Sequence, residues 1–238
     1  MKPVLLLIPG MLNTAHIWQR VVPLVEDHSE VRIADVTRQS SIAQMAQDAW
    51  ALVADVPESR RLVVCGFSMG GYVALDLVAA RLVDHRAPAT WALGLVNTSA
   101  RPETAEGKLA REKTIAAVER DFKRVTVAIA GLGIHPSHHA NADLLAEALG
   151  IMREAGADAA LRQLRAIMVR ADQQPLLARI KSTTVVVGSR DDMVVPPAAS
   201  EEMAAGIAGA HLAWLSPVGH MSPLEQPDQL AALLKKLL

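Results

Sequence analysis

The sequence predicts an α/β protein in which a mostly parallel sheet is flanked by helices, with a block of helices inserted between two strands. Three observations predict it. Over the first hundred residues, short apolar runs of strand length alternate with stretches of helical periodicity. One such run, Leu62 to Cys65, passes through Gly66-Phe67-Ser68-Met69-Gly70 into a helical stretch carrying Tyr72, Leu75, Leu77, Val78 and Leu82. From Arg101 to about Ile180 no strand pattern appears, and strands resume afterwards. A chain of 238 residues, 51% of them hydrophobic, is long enough and apolar enough for one such core with an insertion.

Each element follows from its local pattern. Val4 to Ile8 is an apolar run closed by Pro9-Gly10, so it reads as a first buried strand, followed by a loop through Thr14. Ile17, Trp18, Val21, Val22 and Val25 fit a helix that packs on the sheet. Val31 to Ala34 is a second short strand, ending at Asp35. Ser40 or Ser41 stands where an N-cap is needed for a helix carrying Ile42, Met45, Ala49, Leu52 and Val53. The strand Leu62 to Cys65 and the helix behind it come next, and Trp91 to Val96 is a further strand, ending at Asn97-Thr98-Ser99. Lys108 to Ala130, Ala142 to Ala155 and Asp158 to Val169 then read as helices. Three helices exceed what one crossover between parallel strands needs, so this segment is predicted to lie over the strand ends as a cap. The chain divides accordingly into a core of residues 1–100 and 181–238 and a helical cap insertion of residues 101–180. The sheet resumes at Thr183 to Val187, ending Gly188-Ser189-Arg190-Asp191-Asp192. A helix from Pro197 to Ile207, a last strand from His211 to Leu215 and a closing amphipathic helix from Gln226 to Leu238 complete the pattern.

Composition excludes several function classes. A formal net charge of −1 offers no electrostatic footprint for nucleic acid or an anionic membrane. The single cysteine, Cys65, excludes an internal disulfide framework and reads as a small core residue at the end of the Leu62 to Cys65 strand. The apolar run Val4 to Ile8 is too short for a signal-peptide core or a membrane span, so a soluble, cytoplasmic protein is expected.

The chemistry points to the strand ends. A nucleophile held at a sharp strand-to-helix turn needs small neighbours, and Ser68 has Gly66 and Gly70. The helix start behind it offers free N–H groups and a positive dipole end for a developing oxyanion. A serine capping an ordinary turn would explain Ser68 but not the paired glycines. Reactive groups of open α/β sheets gather at the carboxyl ends of the strands. There the chain places Ser68, then Asp191 and Asp192, then His220 in a Gly-His loop. A serine hydroxyl needs a base within hydrogen-bond reach, and the base needs an orienting carboxylate.

Four stretches carry a resemblance that runs nearly end to end: Leu-Leu-Ile-Pro-Gly-Met at 6–11, Gly-Phe-Ser-Met-Gly-Gly at 66–71, Gly-Ser-Arg-Asp-Asp-Met-Val-Val-Pro at 188–196, and Gly-His-Met-Ser-Pro-Leu-Glu-Gln-Pro at 219–227. In these the chain resembles the α/β-hydrolase fold superfamily, specifically its compact, cofactor-free esterase and lactonase members. The resemblance implies Ser68 as nucleophile, His220 as base, an acid near residue 191 and a variable cap at residues 101–180. Where the family has His-Gly after its first strand, this chain has Pro9-Gly10. The next residue still supplies a backbone N–H, so Met11 and Met69 become the expected oxyanion-hole donors. The family's acid stands three residues after the strand-end glycine, which selects Asp191, and four before the proline, which selects Asp192. Asp191 is preferred because a strand fixes position more firmly than a downstream loop, with Asp192 as the alternative.

The implied activity is hydrolysis of an ester, thioester or lactone of a small acid through an acyl-enzyme, with no cofactor and no metal. Rival readings are carbon–carbon bond hydrolysis or a perhydrolase-like reaction on the same triad, and a hydrolase-fold binding protein without turnover. The expected partner is a small ester-like substrate, not nucleic acid or a membrane, and a homodimer is compatible with the sequence. The cluster His135, His138 and His139 has only Asp143 near ligand spacing and reads as a polar cap connection. His16 either lines the pocket or is inert, and His28, His85 and His211 read as structural or surface residues. Trp18, Trp50, Trp91 and Trp214 are expected in the core, while Met152, Ile167 and Met168 either line a pocket or pack cap on sheet.

Overall fold

In the computed structural model, which describes residues 1–83 and 91–238, the strands are β1 (Val4–Ile8), β2 (Glu30–Ile33), β3 (Leu62–Phe67), β4 (Trp91–Val96), β5 (Thr183–Ser189) and β6 (His211–Leu215). They form one sheet in the order β2-β1-β3-β4-β5-β6, and every pairing is parallel. Parallel neighbours need crossovers, and the crossovers put helices on both faces. That is why the inner strands are continuous apolar runs. Successive side chains still go to opposite faces. Leu6, Ile8, Val64 and Leu95 enter one core layer, while Leu5, Leu7, Val63 and Cys65 enter the other. Burial in the second layer pushes the Cys65 thiol well above its ordinary pKa.

The first helices of the chain are α1 (Val22–Val25), α2 (Ile42–Ala51) and α3 (Met69–Val83). The predicted helix across residues 17–25 is instead a 3₁₀ turn, Ala15–Trp18, followed by the single turn α1. Ser41, not Ser40, caps α2 by accepting from the Gln44 N–H, and the Gln44 side chain returns to accept from the Ser40 N–H. Between β4 and β5 lie α4 (Ala105–Gly133), α5 (Ala142–Ala155), α6 (Ala157–Met168) and α7 (Gln174–Leu177). No strand interrupts them. The long α4 is two helices joined at Asp121, whose φ of −155° leaves the helical region and whose side chain recaps the chain by accepting from the Arg124 N–H. After β5 come α8 (Pro197–Gly206), then β6, the short α9 (Ser222–Glu225) and α10 (Pro227–Lys235). Helix α9 was not expected from the sequence: it is a single turn with Pro223 in it, too short to show a period.

Among the described residues no helix is long and apolar enough to cross a membrane. Trp18 and Trp91 are buried as expected. Trp50 and Trp214 are only partly buried: the first packs on Trp91 with ring centroids 6.0 Å apart, and the second lies under the Arg190 guanidinium at 4.5 Å. His28 and His211 are exposed, and His85 lies outside the described residues.

The order of the strands matters for function. β1 has β2 on one side and β3 on the other, so the chain reverses its direction of travel there. The crevice at such a reversal, outside the carboxyl ends, is where α/β sheets do chemistry. The loop after β1 and the turn after β3 meet at that point.

Candidate active site

Ser68 stands in the turn between β3 and α3, with φ at +54°. That left-handed conformation is rare for a residue with a Cβ, and it swings the side chain clear of both elements. The turn closes only because its neighbours lack side chains. A Cβ on Gly66 would run into the Gly70 carbonyl, and one on Gly70 into the carbonyls of Ile8 and Pro9. The Thr98 hydroxyl donates to the Ser68 carbonyl at 2.7 Å and holds the turn from the β4 side. Leu12 (φ +59°) and Asn97 (φ +45°) are the other non-glycine residues of this kind among those described, and they follow β1 and β4. Backbone strain is thus concentrated around one point, as at functional sites.

Strain at Ser68 makes a stability prediction. Ser68→Ala and Ser68→Gly both delete the hydroxyl, but only glycine also removes the Cβ that disfavours φ +54°. Ser68→Gly should therefore be more stable than Ser68→Ala by about 1 kcal/mol, reversing the usual order of those residues. Urea midpoints of the two variants measure the difference, and a glycine variant of lower midpoint would show the turn to be relaxed.

Ser68 Oγ lies 2.9 Å from His220 Nε2, and His220 Nδ1 lies 2.8 Å from Asp192 Oδ2. His220 and Asp192 are buried, while Ser68 is half-buried. The tautomer that suits both contacts has Nδ1–H donating to Asp192 and Nε2 accepting from the Ser68 hydroxyl. The Phe67 ring packs on the imidazole at 5.2 Å between centroids.

Asp192, not Asp191, meets His220, and this corrects the preference for Asp191. The counting rule took Gly188 as the strand end, but β5 runs on through Ser189. The chain then turns, with the Asp192 N–H directed at the Ser189 carbonyl at 3.4 Å, and that turn brings residue 192 inward. Asp191 is exposed, with its Oδ2 3.6 Å from His135 Nε2. Asp192 is saturated with donors. Oδ1 accepts from the Val194 and Val195 N–H groups at 2.8 and 2.9 Å, and Oδ2 accepts from Asn97 Nδ2 at 2.9 Å besides His220. Burial pushes this carboxyl up, but the neighbouring His220, its hydrogen bond, the Val195 N–H and the Asn97 amide together hold it below the ordinary carboxylate range.

The loop after β1 approaches the serine turn, since a Cβ on Gly10 would meet the Ser68 Cβ. Of the expected oxyanion donors, the Met69 N–H opens α3, and the Met11 N–H lies in the loop after β1. Neither takes a hydrogen-bond partner among the described residues. The β1 loop is braced from the helical segment. Gln163 of α6, fully buried, accepts from the Leu12 N–H at 2.9 Å and donates to the Val36 carbonyl at 2.8 Å. Asn13 Nδ2 donates to the Met11 carbonyl at 2.8 Å.

Sequence reasoning missed three of these supports. Asn97 was visible only as a polar residue at a strand end; its amide oxygen accepts from the Ser222 hydroxyl at 2.7 Å, which locks its orientation toward Asp192. Ser222 sits in the quoted Gly-His-Met-Ser-Pro stretch but carried no pattern of its own. Gln163 did carry a signal: it shares a buried stripe with Ala159, Ala160, Ala166 and Ile167 of an otherwise amphipathic helix. Of the remaining histidines, His16 is exposed and pairs with Glu154 at 2.7 Å. His135 and His138 face Ser137, Asp191 and Glu225, and His139 faces the Gly131 and Ile134 carbonyls. Asp143 is exposed in the first turn of α5, and no group of three or more ligating side chains among the described residues could hold a metal ion. Met152 and Ile167 are buried and pack in the core layers.

A parallel sheet with a serine on its central strand-to-helix turn is the architecture of an α/β hydrolase. The model of the alpha/beta hydrolase family matches residues 5–233, and the chain belongs to that family. It is 27% identical over 252 residues to the pimeloyl-[acyl-carrier protein] methyl ester esterase of Aromatoleum aromaticum, covering 98% of this chain and 97% of that one. It is 28% identical over 243 residues to RutD of Pseudomonas savastanoi, a candidate carbamate hydrolase, covering 94% and 89%. In fold it is similar to a thermophilic esterase from Thermogutta terrifontis, with a TM-score of 0.86 at 21% identity over 99% of this chain and 89% of that one. It is also similar to the enol-lactonase of Burkholderia xenovorans, at 0.84 and 22% over 100% and 91%.

Proposed function

We propose that this hydrolase cleaves an ester, thioester or lactone of a small acid through an acyl-enzyme on Ser68. The observation that carries the proposal is the unbroken line from Ser68 Oγ through His220 to Asp192, with contacts of 2.9 and 2.8 Å. In this reading Ser68 Oγ attacks the carbonyl carbon as His220 Nε2 takes its proton. Charge develops on the carbonyl oxygen and is met by the N–H groups of Met11 and Met69, the latter at the positive end of α3. Collapse of the tetrahedral adduct breaks the bond to the leaving oxygen or sulfur, which receives the proton from His220. Water then repeats the sequence on the acyl-enzyme and frees the acid. Asp192 holds the imidazole in the productive tautomer and stabilises the imidazolium between steps.

The substrate class rests on the relatives' esters and lactone, all of which present an acyl carbonyl to such a site. In the same reading residues 101–180 act as the cap. Gln163 and Glu154 already tie that segment to the β1 loop beside the proposed oxyanion hole.

A fluorophosphonate probe tests the nucleophile. It should modify one residue, Ser68, and Ser68→Ala should abolish the modification. Labelling that persists in the alanine variant would overturn the assignment. A panel of p-nitrophenyl and methyl esters of increasing acyl length, run on the wild type, then reads the size of acid that fits beneath the cap.

A further inference from the structure

We infer that Glu225 is a positioning residue for His220, fastening the loop that carries the base to the helical insertion. The inference rests on the reading of His220 as the base. Glu225 ends α9, and its side chain is 0% exposed. A buried carboxylate is costly unless its lone pairs are filled, and here four donors meet them. Oε1 accepts from the N–H groups of Gly219 and Met221, each at 3.1 Å. These are the residues on either side of His220. Oε2 accepts from the His135 N–H at 2.8 Å and faces His138 Nδ1 at 2.9 Å, both in the connection between α4 and α5. One carboxylate therefore holds the base's two chain neighbours with one oxygen and the insertion with the other.

The backbone makes the same junction. The Gly133 carbonyl, at the end of α4, accepts from the His220 N–H at 2.6 Å and from the Met221 N–H at 3.2 Å. Gly219 permits the approach, because a Cβ there would meet the Gly133 carbonyl and the His135 N–H. The loop is thus clamped between a carbonyl and a carboxylate that both belong to the contact with the insertion. His220 must reach Ser68 and Asp192 at once, and a displacement of about 1 Å costs on the order of a hundredfold in rate. The clamp supplies that precision from outside the sheet.

Glu225→Gln keeps the shape but turns one oxygen into an amide donor, so one of the two pairs of N–H groups loses its acceptor whichever way the side chain lies. We expect kcat on the best ester to fall about ten- to a hundredfold with KM changed less than about threefold. The far-downfield proton signal of His220 Nδ1–H should broaden or shift while circular dichroism stays native. His138→Ala, which removes one of the two contacts that Oε2 makes with the insertion and leaves the N–H groups of Gly219 and Met221 their acceptor, should lower kcat in the same sense by a smaller factor. His220→Ala is measured beside them. If His220→Ala stays active, the base assignment falls and this inference with it. If His220→Ala is inactive but folded Glu225→Gln keeps wild-type kcat and the same proton signal, the positioning role alone is overturned. Should Glu225→Gln fail to fold, His138→Ala decides: a selective loss in kcat supports the clamp, and an unchanged kcat refutes it.

Discussion

Ser68→Ala, His220→Ala and the double variant should each lose about the same factor in kcat, on the order of 10⁶ against the best ester. The expected equality is the informative part. His220 Nε2 is 2.9 Å from Ser68 Oγ, so its proposed work is to take the proton from that oxygen. Without the hydroxyl there is no proton to take. Without the imidazole the hydroxyl stays a weak nucleophile. Removing the second partner therefore removes nothing further. The residue of activity in all three, roughly 10³–10⁴ over water, would come from the Met11 and Met69 amides and from binding. Single-turnover and steady-state rates on one p-nitrophenyl ester measure this. A His220→Ala variant retaining a tenth of wild-type kcat, or a double variant far below either single one, would break the unit apart.

The second large effect separates two adjacent aspartates. Asp192→Asn should lower kcat by about 10⁴-fold, and Asp191→Asn by less than about tenfold. The local hydrogen bonds determine how the new amide must lie. At the position of Oδ1 two N–H donors, from Val194 and Val195, demand a carbonyl oxygen. The NH₂ group is then left facing His220 Nδ1, where it donates instead of accepting. That selects the tautomer protonated on Nε2, which cannot take the serine proton. The same NH₂ faces the Asn97 Nδ2 donor, so the substitution also costs stability. Asp191, exposed near His135, has no such role. The stability loss has a pH signature. The Asp192 carboxyl is held below its ordinary value in the folded protein, so its contribution is present above an unfolded pKa of about 3.9 and is lost as pH falls through and below that value. Asp192→Asn should therefore flatten the acid limb of a stability-versus-pH curve, measured by urea denaturation. A larger kinetic loss on Asp191 would refute the assignment of the orienting acid.

The architecture was legible because burial on both faces leaves strands as unmixed apolar runs, and because Gly66 and Gly70 mark one turn that tolerates little else. The boundaries of Trp91–Val96 follow from such a run directly. Strand ends were harder to read. Glycine and serine at 188 and 189 look like a loop, yet parallel pairing with Gly188 against Trp214 and Ser189 against Leu215 keeps them in β5. The strand thus ends one residue beyond Gly188, and counting three residues from Ser189 instead selects Asp192. The site's supports were hidden for a different reason. Gln163 lies 151 residues from Leu12, and Glu225 lies 90 from His135. No local period records such pairs; they exist only once the insertion is folded against the sheet.

The positive φ at Ser68 has a bearing on whether this chain turns over its ligand at all. A conformation that costs about 1–3 kcal/mol is a substantial fraction of the 5–15 kcal/mol that holds an ordinary domain together. Glycine at this position would relax the turn. A binding protein with no use for the hydroxyl would drift toward that relaxed form, since selection would then see only the gain in stability. On the proposed reading, Ser68 holds a conformation that costs its own fold stability, and it is the reactivity of the hydroxyl, not the shape of the residue, that accounts for the cost.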